Sequence, residues 1–137
     1  MSISGARIEV LEDELSKLGD KQETHAVLMV GTNNVKSEGS EEILRKYENL
    51  ITEAKKHKFR HISVVGILRR NDVSSFVNSR RIGVNIRLRE LCERQGISYI
   101  YKELISEHLS RDKLHLSSFG QDEVGRTIFK HCKEYLN

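Results

Sequence analysis

Asp112 and His115 stand three residues apart in the segment DKLHLSSFG. A carboxylate at that spacing can fix the tautomer of an imidazole, which can then take a proton from a hydroxyl. The pair also fits a plainer role, with Asp112 capping a turn and His115 on the surface beside a helix N-terminus. A second stretch, VLMVGTNNV from Val27 to Val35, runs from hydrocarbon straight into two adjacent asparagines. A polar turn after a buried strand is ordinary chain reversal in most proteins. In some α/β enzymes it presents a side-chain amide to a substrate. A third polar stretch, Arg69 to Ser75, follows another apolar run.

The periodicity of the chain gives these segments their setting. Ile8, Leu11, Leu15 and Leu18 recur at helical spacing, and Gly19 supplies a stop. HAVLMVG reads as a strand buried on both faces, which favours a parallel sheet covered by helices. Ser40 is a plausible N-cap for a helix with Glu41 and Glu42 in its first turn. Its apolar stripe is Ile43, Leu44, Tyr47, Leu50, Ile51 and Ala54. His61 to Leu68 is a second strand rich in β-branched residues. A helix follows from about Ser75 to Gln95, with Val77, Val84, Leu88, Leu91 and Cys92 inward and Gly96 ending it. ISYIY is a third strand, and Ser117 or Ser118 opens a last helix containing Val124, Ile128, Phe129 and Leu136. The alternation α-β-α-β-α-β-α predicts an α/β fold of three layers, αβα, around a parallel sheet. Ligands of such sheets bind beyond the carboxyl ends of the strands. The GTNN turn, the loop from Arg69 to Ser75, and the Asp112–His115 segment should all converge there.

Composition narrows the class. A chain of 137 residues is most simply one domain with an ordinary core. The longest apolar run falls well short of the roughly 20 residues that span a bilayer. The N-terminus has no basic-then-apolar signal pattern. Cys92 and Cys132 fall in helix-like segments without metal spacing, so they read as buried thiols, and the cytoplasm or nucleus is the default compartment. Nothing in the spacing calls for a metal or a cofactor. The net charge is +3, with basic clusters at Lys55 to His61, Arg69-Arg70 and Arg80-Arg81. Such clusters can contact phosphate, but more often they are the solvated C-terminal ends of helices. With 20 acidic residues against 23 Lys and Arg, nucleic-acid binding is expected to be weak.

Taken together, the segments resemble a known family. DKLHLSSFG looks like the Asp-x-x-His block of the SGNH (GDSL-type) esterases and lipases, and VLMVGTNN looks like their Gly-x-Asn-Asp block. SISGARIEVL, with Gly5 ahead of the first helix, looks like their glycine block. LHLSSFG and the basic helices are further similar to the esterase domains in the first open reading frame of some LINE-type retroelements. The resemblance implies a flavodoxin-like sheet and an ester or acyl ligand. It implies that Asn33 and the Gly5 backbone N–H are oxyanion donors, that His115 is the base and that Asp112 is its partner. Gly31, Thr32 and Asn34 would line the substrate side. Asn34 stands where the family carries an aspartate, a change expected to weaken support of the loop.

The family's nucleophile is the serine of a Gly-Asp-Ser turn upstream of the glycine block. This sequence contains no such turn, and only Ser2 and Ser4 lie near the expected place. The resemblance therefore implies a hydrolase-like domain without its own nucleophile, either a pseudo-esterase or an enzyme completed by another chain. The alternative is a non-catalytic module that binds protein or nucleic acid. The family's first strands are also expected to be missing, leaving the strand at residues 25 to 31 with an open edge. An open edge is a template for pairing. The expectation is a two-fold dimer formed through that strand or through the segment Met1 to Gly5.

Overall fold

The computed structural model describes residues 2–3, 7–17, 25–101, 126, 127 and 130. The predicted stop at Gly19, the thiol of Cys132 and most of the predicted last helix lie outside these residues, although Arg126, Thr127 and Lys130 are helical.

In chain order the elements are β1 (Ser2–Ile3), α1 (Ile8–Ser16), β2 (His25–Met29), α2 (Asn34–Ser37), α3 (Ser40–Lys55), β3 (His61–Val65), α4 (Ser75–Gln95) and β4 (Ser98–Ile100). The apolar stripes read from the sequence are the ones that are buried. α1 buries Ile8, Leu11 and Leu15, and α3 buries Ile43, Leu44, Tyr47, Leu50, Ile51 and Ala54. α4 starts where the Ser74 hydroxyl accepts from the Val77 N–H at 3.2 Å, and it ends at Gly96 in the left-handed region. The start of α3 differs from expectation by one residue: Gly39 occupies the N-cap, and Ser40 is already helical.

The strands form one parallel sheet in the order β1-β2-β3-β4, with Leu28 beside Val64 and Val64 beside Tyr99. Strands that follow one another in both sequence and space, joined by crossovers of one hand, place their connecting helices on one face. Accordingly α1, α3 and α4 share a single core with Ala26, Leu28, Val30 and Val64. The other face is also apolar and buried, at Val27, Val65, Leu68 and Ile100. A parallel sheet buried on both faces is what the unbroken apolar strands require.

One expectation is corrected. β2 is not an edge strand, because β1 pairs with it in the same chain, Ser2 beside Val27 and Ile3 beside Leu28. The sheet edge on that side is therefore β1, which is very short. Two short elements, β1 and α2, carry no periodicity long enough to be read from sequence. Among the described residues no helix is long and apolar enough to cross a membrane.

The strands end by leaving the sheet, and helix side chains satisfy the backbone there. Tyr47 of α3, fully buried, donates its hydroxyl to the Val30 carbonyl at 2.8 Å. Burial pushes its phenol far above the usual range, so it remains a neutral donor. Asn85 of α4 accepts from the Ile67 N–H at 2.8 Å and donates to the Ile67 carbonyl at 3.0 Å, as a neighbouring strand would. Gly31, directly after Val30, has φ +104°. A Cβ there would run into the Tyr47 hydroxyl and come within 2.9 Å of Ile67 Cγ1. Gly31→Ala is therefore expected to destabilise the domain by more than about 2 kcal/mol, since backbone strain and a buried clash add. Gly83→Ala is the control, because nothing lies within 4 Å of its added Cβ. Urea unfolding of both variants checks this; a neutral Gly31→Ala would contradict it.

Candidate functional site

The carboxyl ends of β2 and β3 bring two of the three predicted segments together. After Gly31, Thr32 and Asn33 make a turn that runs directly into α2, closed by the Val35 N–H donating to the Gly31 carbonyl at 3.0 Å. The loop after β3 returns over this turn through Arg70. Its Nη1 donates to the Thr32 carbonyl at 3.1 Å and to Asn33 Oδ1 at 3.2 Å. Its Nε and Nη2 hold both oxygens of Asp72, at 2.8 and 2.6 Å. Arg70 is only 2% exposed. A planar guanidinium with a carboxylate on one edge and two oxygens on the other is fixed in orientation. The pairing holds the Asp72 carboxyl below its usual range. Arg70 therefore determines how the Asn33 amide lies, with its oxygen drawn toward the guanidinium.

Asn34 has a different place from its neighbour. It is 0% exposed. Its Oδ1 accepts from the Ile8 N–H at the start of α1 at 2.9 Å, while Nδ2 donates to Glu9 Oε2 at 2.9 Å and Glu38 Oε1 at 2.8 Å. Both ends of the amide are engaged inside the protein, so the expectation that Asn34 faces a substrate is corrected: it ties the turn to α1. The expectation that an asparagine supports the loop poorly is corrected as well. An aspartate here could accept from Ile8, but its second oxygen would face two carboxylates. An amide supplies an acceptor and two donors at once.

The carboxylates around it are neutralised by two cations. Arg7 Nε meets Glu9 Oε1 at 2.6 Å, and Arg7 Nη2 is paired with Glu38. Lys46 Nζ lies 2.7 Å from Glu38 Oε1 and 3.3 Å from Glu9 Oε2. Burial raises the Glu9 carboxyl, but hydrogen bonds from Arg7, Asn34 and Lys46 outweigh it and hold the group at about 2. Glu38 is lowered by the same balance, with Lys46 and Asn34 opposing its burial.

Of the other predicted residues, Gly31 is buried in the turn's scaffold, and Thr32 is half-buried with its carbonyl on Arg70. Gly5, Asp112 and His115 lie outside the described residues. Arg70 lies in the loop expected at this edge, but its clamp on the turn was not read from sequence, and neither were Glu9, Glu38 and Lys46 as parts of this region. Their long-range partners lie too far along the chain for spacing to reveal, and the local pairs, Arg70 with Asp72, Arg7 with Glu9 and Asn34 with Glu38, do not mark a site by themselves. The basic pairs also prove to be largely internal. Arg80 donates to the carbonyls of Val35 and Glu38 at 2.9 and 2.7 Å, and the 4% exposed Arg81 donates to the Tyr101 hydroxyl at 2.8 Å. Among the described residues there is no group of three or more His, Cys, Asp or Glu able to hold a metal.

The network gives a pH dependence with a definite sign. Glu9 falls from 4.5 to about 2 on folding, so its contribution is complete above about pH 4.5 and is lost as pH falls through about 2. Asn34→Asp should act in the opposite sense. It sets a third carboxyl beside Glu9 and Glu38, costs about 2 kcal/mol or more at neutral pH, and recovers as acid protonates that carboxyl. Denaturant unfolding of the two proteins from pH 7 to pH 3 should therefore converge. Parallel curves would contradict this account.

No family model matches the chain, and no curated protein matches it. Solved structures are similar to it. It aligns with a Streptococcus pneumonia protein provisionally described as a platelet activating factor, at TM-score 0.75 and 20% identity, over 96% of this chain and 69% of that one. It aligns with a carbohydrate acetylesterase family member from Sinorhizobium meliloti, at TM-score 0.71 and 16% identity, over 94% of this chain and 68% of that one. A third structure aligns at TM-score 0.76 and 16% identity, covering 66% of that chain. The chain spans about two thirds of the length of the solved structures it matches. At such identities the likeness establishes the fold alone: an open parallel α/β sheet, shared with structures that include a carbohydrate acetylesterase family member.

Proposed function

We propose that this chain is an SGNH-type ester-hydrolase-like domain that recognises an acyl or ester group at the GTNN turn and has no nucleophilic serine of its own. The observation that carries the reading is the clamp of Arg70 on Thr32 and Asn33 at the carboxyl end of β2. A donor aimed at developing negative charge is useful only if it does not reorganise during reaction. A side chain held through its oxygen by a buried guanidinium meets that condition. In this reading the Asn33 amide N–H faces the oxyanion with the Gly5 N–H as second donor. His115 serves as base, and Asp112 orients it. The lack of a Gly-Asp-Ser turn favours an inactive or incomplete esterase acting as an interaction or assembly module. The nucleic-acid alternative has less support, because Arg70 and Arg80 are occupied by carbonyls and a carboxylate of the same chain.

Fluorophosphonate labelling and turnover of p-nitrophenyl acetate test the proposal. The expected outcome is no labelled band, and a rate no higher than that of His115→Ala. Loss of a serine nucleophile alone costs on the order of a million-fold in turnover, while oxyanion donors leave roughly a thousand-fold over water. Robust turnover abolished in His115→Ala would overturn the nucleophile-free reading and direct attention to Ser2 and Ser4. Turnover indifferent to both His115→Ala and Asn33→Ala would overturn the site itself.

A further inference from the structure

α4 is apolar on two sides. Its inward side buries Val84, Leu88, Leu91 and Cys92 against the sheet. On the outward side Phe76 is 70% exposed, Ile82 52% and Ile86 58%. Large side chains left in water at this level, on one strip of one helix, mark an interaction surface.

The sequence of the strip indicates what covers it. From position 75 to position 86 the fully exposed residues are Ser75, Phe76, Ser79, Ile82, Gly83 and Ile86, none of them charged, in a chain that is 31% charged. Arg80, the cation within this stretch, donates to the carbonyls of Val35 and Glu38, and its guanidinium lies over one face of the Phe76 ring, 5.2 Å from the centroid. Beyond it come Arg87, Arg89, Glu90, Glu93 and Arg94, all exposed. A parallel helix partner of the same kind would bring these charges against their own copies. An antiparallel one excludes them and lays the uncharged strip on itself. About a two-fold axis near position 81, Phe76 faces the partner's Ile86, Ser79 faces the partner's Gly83, and Ile82 lies against the aliphatic stem of the partner's Arg80. Large residues then meet large ones at both ends, and small ones meet at the crossing, where the backbones must approach most closely. Opposed helix dipoles add to the same preference.

We infer that the outward face of α4 is a self-association surface, occupied by α4 of a second copy of this chain in an antiparallel, two-fold arrangement. This does not depend on the site at the GTNN turn being an ester site. It also moves the expected dimer contact away from β2, where β1 already pairs with Val27 and Leu28. A strip about 18 Å long falls short of the roughly 1,200 Å² of a standard stable interface, so the dimer forms and dissociates with concentration.

Sedimentation velocity from low micromolar to several hundred micromolar tests this. The wild-type mass should rise from 15.8 kDa toward twice that value. Gly83→Glu places a carboxylate at the crossing, and Ile86→Lys places a charge where Phe76 should dock. Each should weaken association about tenfold or more. Both positions are exposed, and a Cβ at Gly83 meets nothing within 4 Å, so the helical circular dichroism of the monomer should be retained. Val10→Glu, at an exposed residue of α1, should leave association unchanged. A protein that stays monomeric throughout overturns the inference. So does a dimer unaffected by both α4 substitutions, which would place the contact elsewhere, for example on β1.

Discussion

The fold around the candidate site depends on one side-chain amide. Asn34 accepts from the Ile8 N–H at the start of α1 and donates to two carboxylates, Glu9 on α1 and Glu38 after α2. No other residue type of that size offers an acceptor and two donors in one plane. The amide thereby decides where α1 begins relative to the turn. It also allows Glu9 and Glu38 to remain ionised side by side, with Arg7 and Lys46 as counter-charges. Removing the amide would leave the buried Ile8 N–H without its acceptor and take a donor from each of two carboxylates, a larger penalty than the loss of one surface bond.

The same logic operates at the other strand end. A strand that leaves a parallel sheet has backbone groups with no ladder partner, and in a dry interior each is costly. Here the helices supply the partners from above: Tyr47 for Val30, and Asn85 for both groups of Ile67. The strand ends are thus fixed by side chains that belong to the core. The turn they define inherits the rigidity of the helix packing rather than the looseness of a surface loop. A rigid turn is what an amide donor needs if it is to act before charge develops.

The elements were legible in the sequence wherever a period or a stop residue repeated often enough. The limits of α4 were legible because a long apolar stripe ends at a glycine, and the structure adds the Ser74 cap at its start. β1 and α2 were not, since two or four residues contain no period. The turn Gly31 to Asn34 was recognisable as polar chemistry at a strand end, but the division of labour inside it was not. Asn33 and Asn34 are the same residue type in adjacent positions. Only the three-dimensional neighbours, Arg70 for one and Ile8, Glu9 and Glu38 for the other, separate them. Those partners lie 25 to 37 residues away wherever they are not local to Glu38. The missing strand neighbour of β2 was misjudged for a related reason: pairing over two residues is decided by where α1 returns the chain, not by β propensity.

The arginines of this chain deserve a reading as building material. Arg7 reaches the Asn33 carbonyl at 3.5 Å, Arg70 that of Thr32, Arg80 those of Val35 and Glu38, and Arg81 that of Ile67. Backbone oxygens around the turn are thereby held by donors that do not give up their protons in any ordinary solution, because a guanidinium stays charged beyond about pH 12. The carboxylates, by contrast, can be protonated. The loop scaffold is consequently asymmetric toward solvent conditions: alkali leaves its donors intact, and acid removes the charges that align them. A histidine or a lysine in the same positions would have brought a titration nearer to neutrality. At Arg70, Arg80 and Arg81, formal charge therefore serves as internal mortar more than as surface potential.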